Sequence, residues 1–346
     1  MQPKLGNVNS QWAHRDGQPV LVLQNALGLA PTAIALPQSL AMLPALCDGT
    51  RDLGALRASL MVRAGVQISE SALARILEQM DQALLFENGL QASAMSRALE
   101  QYHQANGRAP ISAGVSYPSE PAEATQLLSD YLSQRAGDAD TPTLPRPAPA
   151  IRGILSPHID YPRGGSVYAG VWGPATPAIR QAGLVVILGT DHRGRPGAIT
   201  LTAQDYRTPW GKLNTDRDAL DQVRDALGSA AAFEQELHHA VEHSVELAAV
   251  WLHYLAEDSP PPILPILCGS FAPFVEGVEQ VNQHPGITGV IDALRELAES
   301  RPNLVLVAAA DLAHVGPAFG GPPVGPLERA ACRASLPASS TSHRPA

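Results

Sequence analysis

Three histidines in this chain each follow a short apolar run. His158 comes after Ile151–Leu155, His192 after Leu184–Leu188 and His314 after Leu304–Ala309. A fourth, His243, stands in Glu242-His243-Ser244-Val245-Glu246 at the start of an apolar helical stretch. Such runs read as buried strands. Parallel strands bring their carboxyl ends into one row, where open α/β sheets place their ligand sites. One strand-end histidine alone is more often a hydrogen-bonded loop residue, but three at equivalent positions can converge on one cleft. Neutral imidazole is the commonest protein ligand for a metal. Two histidines with a carboxylate or thiolate suit iron(II) or copper and oxygen chemistry. Three with an open position suit a hydrolytic zinc site, and a remaining histidine can serve as general base. Asp160, Asp191 and Asp311 each lie within three residues of one of these histidines, which suits them to orient the rings. Arg163 can hold an anionic group, since a guanidinium matches carboxylate or phosphate geometry. Tyr161, Tyr168 and Trp210 are candidates to line a substrate pocket. Cys268 follows a further apolar run, although a buried, inert thiol is the commoner case. Glycine-rich Gly164–Gly170 matches neither a dinucleotide fingerprint nor a phosphate loop, and no GxSxG elbow is present. Ser244 beside His243 is not a triad, because helix neighbours do not face each other.

Positioning these residues takes a sheet. Ile151–Leu155, Leu184–Leu188, Ile199–Leu201, Ile263–Leu267 and Leu304–Ala309 are predicted strands. Helices are predicted from Ser166, from Thr215 or Asp216 through Leu227, over Val241–Ala256 and over Val290–Ala298. Such alternation predicts an α/β fold of three layers, a mostly parallel sheet with helices on both faces. The first 13 residues read as a loose tail. Gly17–Leu23 is a predicted strand and Ser39–Leu46 a helix ended by Asp48-Gly49. Leu53–Val62 and a Ser69-capped segment through Met80 are two more helices. Leu84-Leu85-Phe86 followed by Asn88-Gly89 reads as the first arm of a hairpin. Ala94–Gln104 is a polar helix that can bridge to the next domain. Asp138–Pro149 is a Pro-rich loop, and the stretch after Gly320 reads as a disordered tail.

Composition narrows the function. With 346 residues, one to three domains are expected, and 45% apolar residues allow a sizeable core. The net charge of −9 and the lack of a basic recognition helix argue against nucleic acid or an anionic membrane as partner. No run is long enough for a membrane span, no signal-peptide core opens the chain, and three scattered cysteines make neither a disulfide framework nor a zinc pair. The cytoplasm is the expected compartment.

Taken together, ISAGVSYP (111–118), SPHIDYPRGG (156–165), LGTDH (188–192), TPWGKLNTD (208–216), EHSVEL (242–247), ILPILCGSF (263–271) and AADLAHVGPAFG (309–320) resemble the Memo family, more closely its bacterial branch called AmmeMemoRadiSam system protein B. The resemblance spans about residues 108–320. It implies a three-layer fold related to the LigB-type class III extradiol dioxygenases, with iron or copper, or zinc, at His158 and His192. It further implies His314 as the catalytic base, with Glu242, His243 and Asp311 as cleft neighbours; Arg163, Asp160 and Tyr161 are the substrate-binding candidates beside them. The family's third metal ligand is a cysteine in a carboxyl-terminal Cys-Gly motif that this sequence lacks, so the expectation is a chain truncated or frameshifted near Gly320. Cys268 and Cys332 do not inherit that role. AMMECR-type and radical-SAM proteins are the implied partners. Residues 14–92 resemble a winged-helix module of the PqqD type. Residues 321–346 are the expected tail. A non-catalytic adaptor that docks a peptide or partner, and a zinc hydrolase, are the alternative functions.

Overall fold

The amino-terminal part is built on a hairpin. Strands β1 (Val8–Arg15) and β2 (Gln18–Asn25) meet at Asp16-Gly17, whose φ angles are 52° and 75°. Two left-handed residues in succession give a two-residue turn that matches the twist of its strands. Strand β3 (Ile34–Pro37) pairs antiparallel with the other edge of β2. The second half of the expected loose tail is therefore a strand. It escapes a pattern search because VNSQWAHR is mostly exposed and carries no apolar alternation. Helices α1 (Leu43–Leu46), α2 (Leu53–Ala64) and α3 (Glu70–Gln82) follow. Asp52 and Ser69 cap α2 and α3, accepting from Ala55 N at 2.9 Å and Ala72 N at 3.2 Å. Leu56, Leu60, Leu73, Leu77 and Met80 close a core with Leu23, Leu36 and Phe86. The hairpin expected at 84–89 does not form. Phe86 bridges to Leu5 instead, and Asn88 caps α4 (Gly89–Gln104), accepting from Leu90 N and Gln91 N. Asn-Gly signals a turn, but asparagine is equally a strong N-cap, and here the cap wins.

The structure, a computed structural model, describes residues 2–136, 151–311, 316–317 and 321–325. His314, Cys332, the Pro-rich stretch and most of the expected tail lie outside these. The chain divides into two units, Met1–Ala310 and Asp311–Ala346, so Asp311 opens the second.

Helix α5 (Pro121–Ala136) leads to the α/β part. There β4 (Gly153–Ser156), α6 (Tyr161–Arg180), β5 (Leu184–Thr190) and β6 (Ile199–Leu201) are followed by the hairpin β7 (Tyr206–Thr208) and β8 (Gly211–Leu213). Helices α7 (Arg217–Leu227), α8 (Ser229–Phe233), α9 (His238–Val241) and α10 (Ser244–Ala256) precede β9 (Ile263–Cys268). Then come α11 (Ala272–Val275), α12 (Pro285–Ser300) and β10 (Leu304–Ala309). The sheet order is β4-β10-β5-β9-β6, with the first four strands parallel and β6 antiparallel to β9. Side chains alternate across it. Val185 and Ile187 pack with Trp172 of α6 and with Ala248 and Leu252 of α10. Leu184 and Val186 pack with Leu220 and Val223 of α7 and with Val290 and Leu297 of α12. The parallel sheet with helices on both faces is thus as the alternation predicts. Helix α10 is buried along almost its whole length, as an all-round apolar helix must be, and gives a rigid support at its amino end.

A buried ion pair ties the start of this part to that helix. Arg108 is fully buried and pairs with Glu246 of α10. The same carboxylate accepts from Ile111 N at 3.0 Å, Ser112 N at 2.8 Å and the Tyr117 hydroxyl at 2.6 Å. The ISAGVSYP segment is therefore pinned by one side chain. Among the described residues no helix is long and apolar enough to cross a membrane.

Candidate metal centre

Register decides where the histidines fall. Ala309 of β10 stands opposite both Ser156 of β4 and Gly189 of β5, so the three strands end level. His158 leaves β4 two residues later and His192 leaves β5 three residues later. His243 arrives from the other direction, just before α10. One nitrogen from each of His158, His192 and His243 lies within 4.8 Å of those of the other two. The ring centroids of His158 and His192 are 5.1 Å apart, those of His158 and His243 5.7 Å, and those of His192 and His243 5.1 Å.

A single buried carboxylate orients two of the rings. Glu242 is 1% exposed. Its Oε2 lies 3.0 Å from His192 Nδ1 and its Oε1 3.0 Å from His243 Nδ1. His158 turns Nδ1 toward the Ala309 carbonyl at 3.2 Å. Each acceptor is an oxygen, so each Nδ1 carries the proton and each Nε2 is the nitrogen that can hold an ion. Glu242 also accepts from His192 N, His243 N and Ser244 N, which fixes both backbone entries. Burial pushes the Glu242 carboxyl up, but the hydrogen bonds from His192 and His243 outweigh it and hold the group well below the usual carboxylate range. The hydrogen bond to Glu242 raises His192 in turn, against its burial. His158 is buried whereas His192 faces solvent on one side, so a small molecule has a way in.

These donors fit a metal ion. Three imidazoles converge, and a carboxylate behind two of them raises their basicity. The sequence puts His158 and His192 in this role and reserves His243 for catalysis; the geometry brings His243 close enough to join the residues that could hold an ion. Ring orientation was expected of the nearby aspartates, yet Asp160 and Asp191 do other work. Asp160 caps α6, accepting from Arg163 N at 3.1 Å and from Arg163 Nε at 2.6 Å. Asp191 is buried and accepts from His238 Nδ1 at 2.7 Å and Arg193 N at 3.0 Å, which stiffens the loop that carries His192. Tyr161 cannot touch a substrate, being fully buried with its hydroxyl donating to Leu247 O at 2.6 Å. Arg163 is largely exposed and pairs with Asp160. Tyr168 is buried in the core and Trp210 lies beyond the far end of α10, against Tyr254. Burial, reinforced by the Asp191 charge, pushes the Cys268 thiol up to about 12, which disfavours a thiolate ligand.

Gly189 sets how closely α10 approaches. A Cβ there would sit 2.6 Å from both Ser244 Oγ and Val245 Cγ2 and 3.1 Å from Val245 N. The replacement Gly189→Ala should therefore push His243 off the cluster. The expected outcome is a stability loss of about 1–3 kcal/mol in urea denaturation, together with weaker metal retention. An unchanged midpoint would show that the helix start can yield freely.

Comparison with known proteins covers the stretch that carries these histidines. A sequence model described as "Memo-like protein" matches residues 108–335, which holds all three histidines. A MEMO1 family protein of Aquifex aeolicus is 24% identical over 308 residues, covering 87% of this chain and 73% of its own. One of Thermotoga neapolitana is 29% identical over 216 residues, covering 60% and 70%. One of Thermus thermophilus is 26% identical over 278 residues, covering 79% and 74%.

Proposed function

The chain belongs to the Memo family, and from that premise we propose that it is a metalloprotein holding one iron(II) or copper ion on His158, His192 and His243. The observation that supports this reading is the set of three imidazole nitrogens within 4.8 Å of one another, two of them backed by one carboxylate. Such an ion supplies open coordination positions for redox chemistry on a small molecule. The protein's own residues do the rest. Glu242 holds two rings in one tautomer, Ala309 O holds the third, and Asp191 braces the loop between β5 and β6. The exposed side of His192 is the approach for substrate, with Arg163 at the start of α6 as the cation for an anionic group.

The test is metal analysis of protein purified without added metal, beside His158→Ala, His192→Ala and His243→Ala, with circular dichroism to check folding. About one iron or copper per chain is expected for the wild type and strong depletion in each folded variant. Equal metal content in all four would overturn the reading. Zinc in place of iron or copper would replace the redox reading with a hydrolytic one.

A further inference from the structure

At the other end of α10, about 20 Å from the metal centre by the rise of its thirteen residues, lies a second cleft of about 640 Å³. It is walled by α5, α6, the β7–β8 turn and the carboxyl end of α10. Nothing in the metal chemistry uses it.

Trp210 and Tyr254 have ring centroids 5.9 Å apart at 40°, and His253 lies 5.9 Å from Trp210. The indole N–H is already committed to Thr125 Oγ1 at 3.0 Å, so the indole has only its ring to offer a ligand. His253 is 5% exposed. Its Nδ1 is 2.6 Å from Thr208 Oγ1, whose hydroxyl donates to Gly211 O at 3.2 Å. Where the Thr208 hydroxyl keeps its bond to Gly211 O, its oxygen accepts from Nδ1–H, and Nε2 is left as an acceptor with no partner among the described residues. Burial lowers the pKa of this ring and keeps it neutral near pH 7. The charges favour a cation. Glu257 and Asp258 stand against Arg180 alone, and Arg180 already pairs with Glu257 and donates to Leu255 O at 3.0 Å. Helices α6 and α10 both end here, adding the negative ends of their dipoles.

We propose that this cleft binds a primary alkylammonium group, with the cation against Trp210 and Tyr254 and its N–H donors shared between His253 Nε2 and the Asp258 carboxylate. Aromatic rings with a nearby carboxylate attract an ammonium through both ring quadrupole and charge. A bare imidazole acceptor selects an ammonium that still carries hydrogens over a quaternary one. Leu132 and Leu255 offer apolar surface for the alkyl chain. The group can arrive on a free amine or on a lysine side chain.

Calorimetry on the full chain tests this with n-pentylamine, which cannot chelate the metal, and with Nα-acetyl-lysine methylamide. Saturable binding of either supports the proposal, and the tighter one names the source. Tetramethylammonium and n-pentanol are each expected to bind about tenfold more weakly, since each lacks one of the two attractions. Asp258→Asn, a change of an exposed side chain, should weaken binding several-fold, and His253→Phe about tenfold, whereas His192→Ala should leave it unchanged. No binding of either amine, or equal binding by wild type, Asp258→Asn and His253→Phe, would overturn it. Loss of binding in His192→Ala would place the amine at the metal centre and overturn it as well.

Discussion

Glu246→Ala is expected to cost about 3–5 kcal/mol of folding stability, read as a lower urea midpoint at unchanged slope. The magnitude follows from what the carboxylate leaves behind. Arg108 is fully buried, and among the described residues it has, besides Glu246, only the backbone carbonyls of His239 and Glu242 to accept its protons. Without Glu246 it is a buried cation with no counter-charge. Ile111 N, Ser112 N and the Tyr117 hydroxyl lose their acceptor at the same time. Glu246→Gln keeps an acceptor and the shape but not the charge, so it should fall between wild type and Ala. Because Arg108 also holds the Glu242 carbonyl, both variants should loosen the metal centre. An unchanged midpoint in Glu246→Ala would mean that water reaches Arg108 and replaces the carboxylate.

That pair also marks where reading the sequence stops. Arg108 and Glu246 are 138 positions apart, and neither stands in a local pattern that announces the other. The strands of the α/β part were legible because parallel strands buried on both faces read as continuous apolar runs. Their ends were legible for the same reason, and with them His158 and His192. His243 was visible as a residue but not as a candidate ligand, because its place depends on how closely α10 approaches β5, and that rests on the missing side chain of Gly189. Asp160 and Asp191 beside the histidines were misleading. Short acidic side chains next to a turn serve the backbone first, as Asp160 does at the start of α6, and the orienting carboxylate came instead from Glu242, fifty residues from His192. In the amino-terminal part, β1 stayed hidden because it faces mostly solvent, although Asp16-Gly17 carried the turn signal.

Glu242 therefore offers the sharpest separation of metal binding from folding. Glu242→Ala is expected to lower metal affinity about 10–100-fold, measured by competition with a chromophoric chelator. Three losses add up in that variant. His192 and His243 are each free to rotate or change tautomer, their basicity falls, and the backbone N–H groups of His192, His243 and Ser244 lose their acceptor. Glu242→Gln separates these effects. Its amide oxygen can serve one Nδ1–H, but its NH₂ group meets the other ring donor to donor. One of the two imidazoles must then turn away or carry its proton on Nε2, where a metal would bind. The Gln variant should accordingly stay folded and still bind more weakly than wild type, at a value between wild type and Ala. If both variants retain the metal as wild type does, the carboxylate does not set the rings. The stacking of His192 on His243, at 14° between planes, would then have to hold them in place unaided.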